Sequence, residues 1–323
     1  MSVKVAVIGE CMIELSENKT NIVRHFGGDT LNTAVYLTRA NPDVAVHYVS
    51  ALGTDPMSGA MLALWQQEGV NTDLVQRLGH KLPGLYLIET DERGERTFHY
   101  WRSDAAARYW LQTQQASEIC QQLKGFDYIY LSGISLAILS PADRLTLLQV
   151  LGDCRAAGAK IAFDNNYRPR LWESKDAARQ AYAAMLALTD LAFLTLDDEL
   201  ALWDDSDETQ CLARTHTLGV NEIVVKRGAE PCLIVQPSSH TEVPAVSLPG
   251  ERIVDTTAAG DSFSAGYLAS RLAGGTVAGS AHYAHLLAST VIQHRGAIIP
   301  LTAMPSPINT AHHSNEVSHV HTA

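Results

Sequence analysis

The sequence predicts an α/β protein with a mainly parallel sheet, helices on both of its faces and a small β appendage. Three observations carry this. Short β-rich runs alternate with stretches of helical spacing over most of the chain, the mark of βαβ units. The chain has 323 residues and 46% hydrophobic content, enough for a large core. In its first third the rhythm breaks, and two strand-like runs flank a short polar turn.

In order, VKVAVI (3–8) is a first strand, and residues 30–40 put Leu31, Ala34, Val35 and Leu37 on one helical side. VAVHYV (44–49) is a strand, followed by a helix over about 56–68 that ends at Gly69. LYLIET (85–90) and RTFHYW (96–101) flank DERG (91–94) as a hairpin. Alternation then resumes with strands at 128–133, 160–166, 191–195 and 222–228, the last pairing with CLIVQ (232–236). Helices are expected over 141–157, closing at Gly158, and over about 176–188, 261–273 and 276–294. Residues 10–26 fit no βαβ rhythm and join the hairpin in the appendage. Residues 1–308 are therefore expected to form one domain, with a β-lid from about 10–26 and 84–103. The polar stretch 309–323 carries His312, His313, His319 and His321, and reads as a frayed tail rather than a metal site.

Acidic side chains number 35 and basic ones 24, a formal net charge of −11. Duplex binding needs a basic footprint, so nucleic acid is not an expected partner. No run of 18 apolar residues exists, so no membrane span is expected. The opening MSVKVAVIGECMIEL is broken by Gly9 and Glu10 and reads as a buried strand rather than a signal peptide. Cys11, Cys120, Cys154, Cys211 and Cys232 form no C-x-x-C pair, which points to small buried hydrophobes in a reducing cytoplasm. Walker A, dinucleotide-fingerprint, H-E-x-x-H and G-x-S-x-G patterns are absent. Phosphate chemistry stays open, because a helix N-terminus binds phosphate without a lysine loop.

The strongest signal is DTTAAGDSFSAGY (255–267). A turn of small residues, Ala258, Ala259 and Gly260, leads into an amphipathic helix. Amides of 258–261 at the positive end of its dipole form a site for an anion. Asp261 has two readings: a helix cap, or a base that takes a proton from a hydroxyl attacking beside that anion. Asp255, Thr256 and Thr257 add more polar groups than a cap requires. At the other end of the chain, FGGDTLNTA (26–34) places Asp29 and Asn32 on one side of a helix start, after a Gly27–Gly28 turn. That pair offers acceptors and donors suited to a polyol, and equally suits a plain capped helix.

DTTAAGDSF resembles the second signature of the ribokinase-like (PfkB) family of carbohydrate kinases, and FGGDTLNTA resembles its first, G-G-x-x-x-N-x-A. The resemblance extends over about 1–300 and implies a three-layer αβα sandwich with a β-lid. It implies ATP and Mg2+ as reaction partners, Asp261 as base, the backbone of Ala258, Ala259 and Gly260 as anion hole, and Gly28, Asp29 and Asn32 on the sugar. GGDTLNTA, YWR and NNYRPRLW together resemble the members that phosphorylate the 6-hydroxyl of 2-keto-3-deoxy-D-gluconate. A kinase for a neutral sugar such as fructose or ribose, and a sugar-sensing protein without catalysis, are the other readings.

Phe98, Tyr100 and Arg102 share one strand face, with Tyr86 on the partner strand. They are either an exposed edge or a lid over a carboxylated sugar, and the resemblance implies that Tyr86, Tyr100 and Arg102 meet substrate. Arg fits a carboxylate as a bidentate fork. DNNYRPRLW (164–172) follows a strand, at the edge where open α/β sheets bind ligands. The resemblance brings Arg168 to substrate acid or phosphates and Asn166 to ATP, with Arg170 in reserve. In KRGAEP (226–231), Lys226 is assigned to a nucleotide phosphate and Gly228 to the ribose, on what is also a hairpin turn.

Two departures stand out. Ala258 sits where the family commonly has Gly, which leaves the anion hole intact if its φ is negative. The family's N-x-x-E pattern becomes Leu196 to Glu199, so Glu199 is expected to reach magnesium only through water. The exposed hairpin edge suggests a homo-oligomer.

Overall fold

The computed structural model describes residues 2–18, 21–90, 96–249 and 252–308. The DERG turn (91–94) and the His-containing stretch 309–323 lie outside the described residues. In chain order the elements are β1 (Val3–Ile8), β2 (Met12–Asn18), β3 (Asn21–Gly27), α1 (Asp29–Ala40), β4 (Val44–Gly53), α2 (Pro56–Gln67), β5 (Val75–Leu78), β6 (Gly84–Thr90) and β7 (Arg96–Trp101). Then come α3 (Ala116–Leu123), β8 (Tyr128–Ser132), α4 (Gly133–Ala137), α5 (Pro141–Ala156), β9 (Lys160–Asp164), α6 (Lys175–Leu186), β10 (Leu191–Thr195), α7 (Leu196–Trp203) and α8 (Glu208–Thr217). The chain closes with β11 (Glu222–Lys226), β12 (Cys232–Gln236), β13 (Ser239–Val243), α9 (Ala259–Leu272) and α10 (Val277–Val291).

Nine strands form the main sheet in the order β13-β12-β11-β10-β9-β8-β1-β4-β5. From β11 to β5 every pairing is parallel, and only β12 and β13 return antiparallel. Buried on both faces, the central strands are apolar through their middles, with charged residues at or near the ends of β1, β9 and β11. Alternate side chains then enter two separate cores. Ala6 and Ile8 of β1, Ile161 and Phe163 of β9, and Ala192 and Leu194 of β10 pack with α5 and α6. Val5, Val7, Ala162 and Phe193 pack on the other face, with α1, α2, α9 and α10. This division makes the αβα sandwich that the alternation predicts. Several of its helices start on side-chain caps, with Asp55 before α2, Ser140 before α5 and Thr276 before α10. No helix among the described residues is long and apolar enough to cross a membrane.

The appendage is larger than a two-stranded flap. It is a four-stranded sheet, β3-β2-β6-β7, in which β2 runs parallel to β6. Glu14 and Tyr86 lie opposite each other in that pairing, and Tyr86 lies opposite Tyr100 in the next. Charged residues such as Glu14 and Arg24 interrupt the apolar pattern of β2 and β3, so the sequence places 10–26 in the appendage without separating its two strands.

Candidate active site

Because the body strands are parallel, β1, β9, β10 and β11 all release the chain at one sheet edge. There Glu10, Asp164, Thr195 and Lys226 emerge. Between this edge and the lid lies a cleft of about 1680 Å³. Its lining includes Gly28, Asp29 and Asn32 from the start of α1, and Tyr86, Phe98, Tyr100 and Arg102 from the lid. Asn166, Arg168 and Arg170 enter from the chain after β9, Lys226 and Gly228 after β11, and Ala258 to Asp261 from the start of α9. The two signatures, more than 200 residues apart in sequence, thus meet in one space.

Asp261 is not a cap. Helix α9 begins at Ala259 with Ala258 in the cap position and no side-chain cap bond, which puts Asp261 inside the first turn, beside the cleft. Its Oδ2 accepts 2.8 Å from Nδ2 of Asn32. Burial and the neighbouring Asp29 carboxylate push its pKa up to about 7, against the Asn32 bond that lowers it. A carboxylate so placed is poised to accept a proton near neutrality. The amides of Gly260 and Asp261 lie in the first turn, where a helix has no acceptor of its own. That of Ala259 bends back to the Thr256 carbonyl at 3.2 Å, so it is partly drawn off the expected anion hole.

The turn itself is tied by Asp255. Its Oδ1 accepts from the Thr257 amide at 3.0 Å and the Thr257 hydroxyl at 2.7 Å, and its Oδ2 from the Gly296 amide at 3.0 Å. Ala258 has φ +60°, in the left-handed region, not the negative φ its side chain would favour. The turn geometry that the family usually gives to glycine is kept, at a cost of about 1–2 kcal/mol for an L residue.

At the start of α1, Gly28 is required by contact. A Cβ there would lie 2.3 Å from the Glu10 carbonyl oxygen and 3.1 Å from Cys11 Cα. Asp29 accepts 2.6 Å from Nδ2 of Asn166, a residue at φ +29°. Thr33 binds the Asp29 carbonyl at 3.1 Å and the Asp261 carbonyl at 3.4 Å, holding the two helix starts together.

On the lid, Tyr86 is buried and its hydroxyl donates to Glu14. Tyr100 is 52% exposed and lies 5.8 Å, ring to ring, from Tyr86. Arg102 is buried and paired with Glu10, a partner that the sequence reading did not supply.

Sequence reading also left Asp164 and Asp198 unassigned, and both line the cleft. Asp164 Oδ2 accepts from Lys226 Nζ at 2.7 Å, Ser264 Oγ at 2.8 Å and the Tyr130 hydroxyl at 3.3 Å, while its Oδ1 is buried without a partner. Lys226 therefore enters the cleft already paired. Arg168 is half exposed, 3.8 Å from Asp198. Glu199 is fully buried, accepts from Asn165 Nδ2 at 3.0 Å and from Arg214 at 2.5 Å, and is not part of the cleft lining. Burial raises its pKa. The acid that faces the cleft in this stretch is Asp198. An apolar wall from Val246, Leu248, Ile253, Phe263, Ala288 and Ile292 was also missed, being scattered over three separate segments.

A family model described as pfkB family carbohydrate kinase matches residues 2–304. The chain belongs to that family. A 2-dehydro-3-deoxygluconokinase of Dickeya dadantii is 64% identical over 305 residues, covering 94% of this chain and 98% of the relative. Another of the same description from Escherichia coli is 60% identical over 309 residues, covering 95% and 100%. A crystal structure of a fructokinase with bound ATP from Xylella fastidiosa shares the fold, with a TM-score of 0.80 at 22% identity over 94% of this chain and 96% of that one. As a pfkB carbohydrate kinase, the chain takes a sugar-type substrate and ATP as small-molecule partners.

Proposed function

We propose that this kinase transfers the γ-phosphoryl of ATP to the 6-hydroxyl of 2-keto-3-deoxy-D-gluconate. The observation that carries the catalytic part is Asp261: a partly buried carboxylate with a raised pKa, bonded to Asn32 and set in the first turn of α9. The relatives at 60–64% identity carry the choice of sugar acid.

In this reading the sugar lies against Gly28, Asp29, Asn32 and Arg168, with Tyr86 and Tyr100 over it and Arg102 on its carboxylate. Asp261 takes the hydroxyl proton as the oxygen attacks γ-phosphorus and the bond to the β,γ-bridging oxygen breaks, releasing ADP. The amides of Gly260 and Asp261 hold the charge that develops on the transferring group, fixed in place before reaction. Lys226 adds positive charge beside Gly260, where an added Cβ would lie 3.5 Å from its Nζ. The apolar wall suits a flat base, and the lid keeps water from the γ-phosphoryl.

Magnesium fits the donor set. It prefers oxygen ligands and keeps most of its water. Asp164, with one orphaned buried oxygen, and Asp198 would hold that hydrated ion. When bound, it neutralises phosphate charge.

A substrate panel with coupled ADP detection tests the proposal. Turnover is expected with the sugar acid and not with fructose or ribose at matched concentration. Preference for a neutral sugar would overturn the substrate, and binding of the acid without ADP formation would overturn catalysis.

A further inference from the structure

Glu10 lies two residues beyond β1 and is 2% exposed. A carboxylate enters the interior only with compensation. Here Arg102, the residue after β7, supplies it by donating from Nη2 to Glu10 Oε2. Arg102 lines the cleft, with its Cζ 6.0 Å from the ring centre of the cleft residue Tyr100, whereas Glu10 stands outside the cleft lining. Glu10 Oε1 and Arg102 Nε are both buried without partners, so the pair is not closed into a two-bond fork. Its guanidinium retains donor capacity while its direction is fixed by one anchor. Gly84, the first residue of β6, completes the seat. A Cβ there would lie 2.8 Å from Glu10 Oε1 and 3.2 Å from Arg102 Cβ.

We propose that Glu10 is a positioning residue that sets the preference for an acidic sugar by aiming the Arg102 guanidinium at the cleft. The inference rests on the reading that Arg102 meets the substrate carboxylate. A long flexible cation held in one orientation before substrate arrives loses less freedom on binding. Because Glu10 also balances its charge, selectivity comes from where the remaining donors point rather than from a net positive field.

Two substitutions separate reach from charge. Glu10→Asp keeps the charge and withdraws the anchor by one methylene. Glu10→Gln keeps the reach and an acceptor oxygen. Glu10→Asp is expected to raise KM for 2-keto-3-deoxygluconate about tenfold, the scale of one misplaced charge-assisted bond, with kcat and the KM for ATP within about twofold of wild type. Glu10→Gln is expected to show a smaller rise. In an Arg102→Ala background, Glu10→Asp is expected to add nothing. An unchanged KM in Glu10→Asp, or the same rise without Arg102, overturns the inference. If Glu10→Asp does not fold, Gly84→Ala displaces the same pair from outside, and an unchanged KM there overturns it equally. Wild-type protein inactive on the sugar acid would instead refute the substrate reading.

Discussion

Asn32 Nδ2 donates to Asp261 Oδ2 at 2.8 Å, joining two helix starts that lie 229 residues apart in the chain. Through this bond a residue assigned to the sugar also tunes the residue assigned to the proton. Sugar recognition and base strength are therefore not independent in this cleft.

Asp261→Asn removes the proton acceptor and keeps the shape. We expect kcat to fall about 10²- to 10⁴-fold with KM for ATP little changed. Coupled ADP assays and thermal melting check this together. A wild-type rate would remove Asp261 from catalysis.

The pH dependence has a defined sign. Asp261 must be ionised to act, so kcat/KM should fall as pH drops through its raised pKa, about 7. Asn32→Ala deletes a bond that lowers that pKa, so the acid limb should move to higher pH. Stability runs the other way. A carboxyl whose folded pKa is raised above 3.8 stabilises the fold at low pH, and this is lost as pH rises toward about 7. Wild type should lose melting temperature relative to Asp261→Asn across that window.

Ala258→Gly should stabilise the protein. The left-handed φ of +60° strains alanine and suits glycine. After the extra chain entropy of unfolded glycine, a net gain of about 0.5–1 kcal/mol is expected in denaturant titration. Destabilisation would mean that the alanine methyl contributes packing that outweighs its strain.

Gly28→Ala should do the reverse. Its Cβ would press on backbone atoms of Glu10 and Cys11, which cannot rotate away. A loss of about 1–3 kcal/mol is expected, with a raised KM for the sugar. Wild-type melting and KM would show that α1 can shift without cost.

Arg102→Ala should raise KM for the sugar acid about 10- to 100-fold, the range for a lost charged hydrogen bond, and leave KM for ATP unchanged. Equal losses for the acid and for a neutral sugar such as fructose would separate Arg102 from the carboxylate.

The parts of this molecule legible in its sequence are those written in local pattern. β1, β9, β10 and β11 are apolar through their middles because both faces are buried, and their ends locate the cleft. VQRL of β5 and SHTEV of β13 lack that pattern because they lie at the sheet edges. The sequence pattern assigns no element between 196 and 221, yet α7 and α8 form there, with Asp197, Asp198 and Glu199 in a first turn that favours negative charge. Glu199 looks available in sequence because nothing local predicts Arg214 folding back onto it. Glu10–Arg102 and Asp164–Lys226 are long-range pairs for the same reason.

The parallel pairing of β2 with β6 sets Met12–Ser16 beside Gly84–Ile88. The intervening chain builds α1, β4, α2 and β5 of the body. The antiparallel pairs β2–β3 and β6–β7 are local, but the central pairing that joins them closes only across a loop of body structure. It should assemble late, after the first third of the body has collapsed. On the proposed reading the sugar side of the cleft is then the last part to become competent, so a chain interrupted in folding would present the α9 turn before the strands that cover it.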